Sequence, residues 1–305
     1  MGRGSRKPVG FRDIDGILLL DKPKGISSNQ ALQKVRYLFK ANKGGHTGSL
    51  DPLATGMLPI CFGEATKFSA YLLDASKSYR AVCQLGKTTT TGDAEGEVTS
   101  QSEVNVSRAD IDTVLTQFTG TIEQIPPMHS AVKVKGQRLY KLARNGQEVE
   151  RKARAIEIQE LDLIEYKQDQ LVVDVRCSKG TYIRTLAEDI GKELGCGAFL
   201  ADLRRTGVHP FWQQRCYTLE ELQETSEDNH GQFLMPVKAA LSDLPELIVD
   251  GLAAEDLKQG RIILVDTRTH SGLLNLVSES GQFIGIGEAT LDGRILPKRL
   301  MNTAR

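Results

Sequence analysis

Apolar residues recur along this chain with two different periods, and their alternation limits the folds that it can adopt. Period two, typical of half-buried strands, appears in Tyr79, Ala81, Cys83 and Leu85 and in Leu171, Val173, Val175 and Cys177. Helical spacing appears in Ile183, Leu186, Ile190 and Leu194 and, after Ser107, in Ile111, Val114, Leu115 and Phe118. These segments lack the regular βαβ rhythm of a doubly wound sheet, so the sequence predicts the α+β class.

The remaining segments extend this prediction. Gly16–Leu20 is predicted to be a buried strand, and Ser27 with Gln30 forms a capping box that begins a helix. The stretch 43–63 contains five glycines and two prolines and is predicted to be a long loop. Short apolar runs after residue 248 indicate a small β-rich appendage. A length of 305 residues suits two such units.

Composition excludes several classes of protein. With 40% hydrophobic and 26% charged residues the chain is typical of globular proteins. Its apolar runs are far shorter than the ~18–20 residues of a membrane span. Five scattered cysteines without a C-x-x-C pair favour reduced thiols in the cytoplasm. Residues 1–12 lack the apolar centre of a secretory signal, and we expect a flexible basic tail there.

The formal net charge is zero, but the charges are unevenly distributed. Residues 1–43 hold ten Lys and Arg against three Asp and Glu, and residues 133–154 hold eight against two. These stretches are compatible with a polyanion-binding face, although a charge run is more often a solvated surface. No zinc-ligand spacing, P-loop or dinucleotide-binding pattern occurs, so we expect neither a metal nor a nucleotide cofactor.

One acidic residue stands out within the glycine-rich stretch. Glycines at positions 44, 45, 48 and 56 bracket Asp51, where they allow sharp bends and the close approach of a ligand. Pro52 biases Asp51 toward an extended backbone. An isolated Asp-Pro would be an ordinary turn. Because His46 and several hydroxyl side chains surround this one, the sequence predicts a functional site.

Residues 45–56, GHTGSLDPLATG, resemble the signature of the TruB family, the bacterial tRNA pseudouridine-55 synthases. Four further segments resemble motifs of that family in the same order: Asp21–Ser28, Lys77–Tyr79, Gly180–Leu186 and Leu203–Gly207. The resemblance implies an enzyme that isomerises a uridine in the T-loop of tRNA without a cofactor. It also implies the pseudouridine synthase fold, with a central mixed sheet in residues 13–247 and a PUA-like RNA-binding barrel in residues 248–305. A cytoplasmic monomer that needs no guide RNA and no membrane is expected.

The same resemblance assigns roles to individual residues. Asp51 is the catalytic carboxylate, either a covalent nucleophile or a stabiliser of positive charge on the sugar. Arg184 is its expected partner, since a guanidinium matches a carboxylate in bidentate geometry. Flipping the uridine out of its loop costs a few kcal/mol, and stacking on a ring returns about 1–3 kcal/mol. The expected pocket residues are Tyr79, which stacks on the uracil and is a candidate for proton transfer, Tyr182 and Leu203, which line the wall, His46, which contacts RNA, and Lys22 and Pro23, which shape the wall.

A basic insertion occupies residues 124–154. We expect a mobile arm that closes on tRNA through phosphate contacts of Lys133, Lys135, Arg138, Lys141 and Arg144. Two other interpretations stay open: a non-catalytic RNA-binding or tRNA-folding protein, and a guide-RNA-dependent relative of the dyskerin type. The long insertion and the short β-rich tail favour the stand-alone enzyme.

Overall fold

The computed structural model describes residues 10–128, 130, 133–134, 136–139, 142, 146–147, 149–265 and 271–302. The helices are α1 (Ser28–Leu38), α2 (Ser69–Asp74), α3 (Arg108–Gln117), α4 (Ile183–Glu193), α5 (Leu219–Glu224) and α6 (Gly251–Lys258). The strands of the first sheet region are β1 (Gly16–Lys22), β2 (Gly44–His46), β3 (Thr55–Phe62), β4 (Lys77–Leu85), β5 (Lys87–Thr89), β6 (Val98–Gln101), β7 (Gly120–Gln124), β8 (Lys133–Val134), β9 (Gln137–Arg138), β10 (Arg154–Lys167), β11 (Gln170–Cys177) and β12 (Ala198–Val208). The C-terminal strands are β13 (Glu246–Val249), β14 (Ile263–Leu264), β15 (Gly272–Ser278), β16 (Phe283–Ala289) and β17 (Arg294–Leu300).

The main sheet is mixed and follows the order β1-β3-β12-β4-β11-β10-β7. The β3–β12 pair is parallel, and its other pairs are antiparallel. One edge of β3 is divided between two partners. Thr55 and Gly56 pair with β12, whereas Ile60–Phe62 pairs with β2. The loop between β2 and β3, which carries Asp51, therefore emerges where the sheet opens.

The prediction of a long loop over residues 43–63 is wrong, because β2 and β3 lie within it. Glycine and proline suggested a loop, but Pro59 is accommodated in β3 opposite Leu19. The Pro59 carbonyl accepts a hydrogen bond from Thr47 N at 3.0 Å, away from β1. The N–H that proline lacks would point to that same side, so no ladder bond to β1 is lost.

Helices cover the sheet as their apolar spacing predicts. The capping boxes that begin α1 at Ser27 and α3 at Ser107 are both formed. α3 and α4 pack on β4, β10, β11 and β12, in a core that includes Tyr79, Leu203 and Ile183. α1 and α5 cover the apolar residues of β1 and β3 on another face. The cores thus surround the sheet on both sides near the β2–β3 loop.

The C-terminal strands form a second sheet in the order β13-β15-β16-β17-β14. The predicted junction between residues 247 and 248 falls within β13. Phe68 packs on Phe283, and the carboxylate of buried Glu64 accepts a hydrogen bond from Asn302 N at 2.6 Å. These contacts join the C-terminal sheet and the segment after it to the helical turn of residues 63–68, which follows β3. Among the helices of the described residues, none has both the length and the apolar character needed to cross a membrane.

A buried lysine ties α2 to the start of β4. The Lys77 ammonium donates to the carbonyls of Leu72, Leu73 and Ala75 at 3.4, 3.1 and 2.6 Å. Cations are stabilising at helix C-termini, where carbonyl groups lack intrahelical partners. Burial nevertheless lowers the pKa of Lys77 to about 8, and the positive charge of Arg205 adds to that effect.

Replacement of Gly56 by alanine is expected to destabilise the fold strongly. A Cβ atom there would lie 2.2 Å from the Arg205 carbonyl oxygen, and the backbone has φ +99°. Overpacking and a left-handed backbone each disfavour alanine, and together they should lower the free energy of unfolding by about 2–4 kcal/mol. Urea denaturation measures this. Gly45→Ala is the matched control, since a Cβ at Gly45 meets nothing within 4 Å. Equal stability of the two variants would contradict the packing argument.

The stability contributed by Lys77 is expected to depend on pH. Folded Lys77 loses its proton near pH 8, whereas the ordinary lysine value is 10.5. Between these values the unfolded chain binds the additional proton, so rising pH should favour the folded state by about 1 kcal/mol per pH unit through this group.

The unfolding free energy of wild type minus that of Lys77→Met should therefore increase from pH 8 to pH 10. Urea titrations at several pH values measure it. Lys298→Met, which removes an exposed lysine paired with Glu288, should give curves parallel to wild type. Parallel curves for Lys77→Met as well would show that burial does not perturb this lysine.

Candidate active site

The loop that carries Asp51 is held by the first residue of α1 and by the segment that precedes this helix. The Ser28 hydroxyl donates to Leu50 O at 3.0 Å and accepts from Leu50 N at 2.7 Å. Gly25 N donates to Pro52 O at 2.8 Å. The backbone is thus fixed on both sides of Asp51. Residues 25–28 and residues 50–52, which lie apart in the sequence, are therefore joined by hydrogen bonds.

Arg184, in the first turn of α4, is the partner of Asp51. Its Nη2 lies 3.1 Å from Asp51 Oδ2, and its Nη1 lies 3.2 Å from Asp93 Oδ2 and 3.2 Å from Thr91 O. The Arg184 side chain is 7% exposed, whereas that of Asp51 is 48% exposed. A buried guanidinium therefore orients a carboxylate whose outer side faces solvent.

Asp93 belongs to the site but was not predicted. It follows β5 in a turn of threonine and glycine residues, and it accepts from Thr91 Oγ1 at 2.6 Å and from Glu95 N at 3.1 Å. A buried carboxylate needs such partners. The sequence signal was an Asp in a Thr-Gly-Asp turn, which alone indicates only a turn.

Tyr79 and Leu203 lie on the neighbouring strands β4 and β12 and face the same core as Leu50. Burial raises the pKa of the Tyr79 phenol, and the charge of Arg205 opposes that shift. The negative charge of Asp51 also acts on this phenol. Tyr79 therefore packs in the same core as Leu50, the residue that precedes Asp51.

Tyr182 directly precedes α4 and is half-buried. Its N–H donates to Gln124 Oε1 at 2.8 Å, and its carbonyl accepts from Gln124 Nε2 at 3.1 Å. Gln124, a buried residue that was not predicted, therefore fixes the main chain beside Arg184. No sequence pattern distinguished it from an ordinary strand residue.

Lys22 and Pro23 lie in a loop that is held together by its own hydrogen bonds. The Lys22 ammonium donates to Pro23 O at 2.8 Å and to Ile26 O at 2.7 Å. Burial lowers the pKa of Lys22 to about 8, and the Asp51 charge opposes this. These contacts hold the loop of residues 22–26 together, and the role of Lys22 and Pro23 at the pocket wall stays a prediction.

His46 ends β2 and is half-buried. Its Nδ1 is buried without a hydrogen-bond partner among the described residues. Burial lowers the pKa of His46, and the nearby Arg205 lowers it further. The imidazole is therefore neutral near pH 7, and the contact of His46 with RNA stays a prediction.

The predicted phosphate contacts of the insertion are only partly described. Lys135, Lys141 and Arg144 lie outside the described residues. The backbones of Lys133 and Arg138 pair with each other in the hairpin β8–β9. In the part of the chain that the structure describes, no group of three or more His, Cys, Asp or Glu side chains is arranged to hold a metal ion.

The arrangement is suited to chemistry at a sugar or base. Asp51 supplies a carboxylate, Arg184 orients it, and Tyr79 supplies a buried phenol close by. A low-dielectric surrounding strengthens such electrostatic interactions. The same set of groups can also take part in proton transfer, because the phenol carries an exchangeable proton.

Comparison with known proteins identifies relatives along the whole chain. Three family models match in succession: TruB family pseudouridylate synthase (N-terminal domain) at residues 36–183, tRNA pseudouridylate synthase B C-terminal domain at residues 184–242, and pseudouridine synthase II TruB, C-terminal, at residues 245–301. A tRNA pseudouridine synthase B of Ectopseudomonas mendocina is 54% identical over 96% of this chain and 97% of its own length. That of Pseudomonas aeruginosa is 53% identical over the same shares.

Solved structures support the fold. The crystal structure of a Cbf5-Nop10-Gar1 complex matches with a TM-score of 0.72 at 24% identity, over 94% of this chain and 84% of that chain. An H/ACA RNP bound to a substrate RNA containing 2'-deoxyuridine gives the same TM-score at 23% identity, over 94% and 85%. The predicted α+β pseudouridine synthase fold with a PUA-like C-terminal unit is confirmed. By its family models and its relatives, the chain belongs to the TruB family of pseudouridylate synthases.

Proposed function

We propose that this protein converts the uridine at position 55, in the T-loop of tRNA, into pseudouridine. The observation that carries the proposal is the pairing of half-exposed Asp51 with buried Arg184 in a loop held from both sides. The curated relatives are named for the same reaction class on tRNA. The product is an isomer of the substrate, so the reaction has no net redox change, and we expect it to proceed without a cofactor.

Asp51 acts on the flipped uridine, either as a nucleophile or as a stabiliser of positive charge at the sugar. The bond from C1' to N1 breaks, the uracil turns, and a bond from C1' to C5 forms. The hydrogen of C5 leaves as a proton, and N1 gains one, so the atoms balance. Tyr79 stacks on the uracil, while Tyr182 and Leu203 line the pocket and His46 contacts the RNA. Stacking offsets part of the cost of flipping.

The substrate partner is the T-arm of tRNA, bound by a cytoplasmic monomer without a guide RNA. Lys133, Lys135, Arg138, Lys141 and Arg144 would contact phosphates, because basic residues in an insertion supply sequence-independent affinity. The relatives' printed names and the basic composition of residues 133–154 support this. A T-arm hairpin transcript, tested with no other RNA present, separates this reaction from guide-dependent modification.

Asp51→Asn is expected to lower activity at least about 1000-fold, because the amide has no charge and is a poor nucleophile. Tritium release from C5-labelled uridine in an unmodified tRNA transcript measures activity. The dissociation constant for tRNA should change less than about threefold, since one exposed carboxylate contributes little to phosphate binding.

Asp202→Asn is the matched control. Asp202 is an exposed carboxylate that pairs with Lys24 at 2.8 Å on the neighbouring loop. It should retain full activity. Failure of the wild type to release tritium from any tRNA would end the proposal. Full activity of Asp51→Asn would instead indicate a non-catalytic role for this loop.

A further inference from the structure

A second buried arginine lies beside the site. Arg205 is 1% exposed and belongs to β12, two residues after Leu203. Its Nε donates to Met57 O at 2.6 Å, and its Nη2 donates to Gly48 O at 3.0 Å. Arg205 therefore holds the same loop that carries Asp51 at Gly48, whereas Ser28 holds it at Leu50.

Arg205 is also the cross-strand neighbour of Tyr79. The two residues are register partners in the β12–β4 pair, and side chains at such positions have Cβ atoms about 4.5–5.5 Å apart. The Arg205 guanidinium acts on the Tyr79 phenol both as a charge and as a hydrogen-bond donor. The structure thus connects the loop of Asp51 to the phenol of Tyr79 through one side chain.

The donor groups of a guanidinium determine the direction of the hydrogen bond between Arg205 and Tyr79. A guanidinium has only donors, so the phenol oxygen must accept. The proton of the phenol then points away from Arg205 and stays available for another partner. Leu50, the residue before Asp51, packs in the same core as Tyr79, so the phenol lies near the loop that carries the carboxylate. A proton held in this orientation can be passed to or from a base bound beside Asp51.

Arg205 has a different environment from the arginine next to it. Its hydrogen-bond acceptors in the described part of the chain include two backbone carbonyls, and its positive charge also acts on Lys22, His46 and Lys77. Arg204 is on the other face of β12 and pairs with Asp21 through two hydrogen bonds of 3.0 and 2.6 Å. Arg205 therefore supplies a fixed positive potential beneath the pocket.

We propose that Arg205 is a positioning residue for the isomerisation, which directs the Tyr79 hydroxyl into the pocket. This inference rests on the proposed function. It adds that the orientation of the Tyr79 hydroxyl depends on Arg205. Arg205 itself does not touch the uracil.

The first test compares Arg205→Met and Arg205→Lys with wild type, and Arg204→Met is the matched control. Single-turnover tritium release should fall about 100-fold in Arg205→Met, the scale expected for misplaced reacting groups. Arg205→Lys keeps the charge but not the fork of donors and should recover only part of this loss. The tRNA dissociation constant should stay within about threefold of wild type. Arg204→Met should react at the wild-type rate.

The second test is a double-mutant cycle with Tyr79→Phe. If Arg205 acts through the phenol, adding Arg205→Lys to Tyr79→Phe should slow turnover by less than about threefold beyond Tyr79→Phe alone. Multiplying effects would overturn the proposal, because they would mean that the two residues act independently. An unchanged rate in Arg205→Lys, or an equal loss in Arg204→Met, would overturn it too.

A third measurement does not need turnover by Tyr79→Phe. The solvent deuterium isotope effect on the single-turnover rate should be larger in Arg205→Lys than in wild type, because a misdirected phenol proton makes proton transfer slower. A purely structural role would leave this effect unchanged and would contradict the proposal. Inactive wild type would refute the proposed function instead, so the two failures are distinguishable. Circular dichroism of each variant confirms that it is folded, and Arg205→Lys carries the test if Arg205→Met does not fold.

Discussion

The parallel contact between β12 and β3 is the constraint on which the site depends. The two strands approach so closely at Gly56 that no side chain fits against the Arg205 backbone. This contact places Arg205 beneath the loop of Asp51 and opposite Tyr79. The pairing of β3 with β12 ends at Gly56, and β2 pairs with the same edge of β3 at residues 60–62. The loop between β2 and β3 therefore lies outside the sheet.

Burying cations in this region opposes stability. Lys22, Lys77, Arg184 and Arg205 are all buried, and the environment lowers the pKa of both lysines. Each ammonium or guanidinium is satisfied by carbonyl groups, and Arg184 also by two carboxylates. Apolar residues of similar size often stabilise a fold more than a buried ion pair. The acceptor groups around these cations are therefore needed to keep the fold stable.

The site is assembled from segments that are far apart in the chain. Asp51 is oriented by Arg184, its loop is anchored by Ser28 and Gly25, and the helix of Arg184 is fixed by Gln124. Each of these contacts leaves the outer side of Asp51 exposed. Preorganised groups of this type need little rearrangement when a substrate binds. The cost of holding charges together is met during folding rather than during the reaction.

Much of this architecture could be predicted because it depends on local signals. Strand alternation around Tyr79 and Leu171, the helical stripe from Ile183 and the capping boxes are patterns of neighbouring residues. The partnership of Asp51 with Arg184 was also expected, but only through the resemblance to a family. Without it Arg184 would be an ordinary polar residue beside an apolar stripe, since spacing does not report which distant carboxylate it meets.

The sequence by itself determined which periodic segments are helices or strands, the position of a carboxylate between glycines, and the family motifs. Each of these depends on residues that are neighbours in the chain. Only the tertiary structure decided that residues 55–62 form a strand, that Asp93 shares Arg184 with Asp51, and that Arg205 faces Tyr79. These outcomes depend on which strands become neighbours. Strand pairing is set by the summed burial and hydrogen bonding of distant segments, and no local pattern contains that sum.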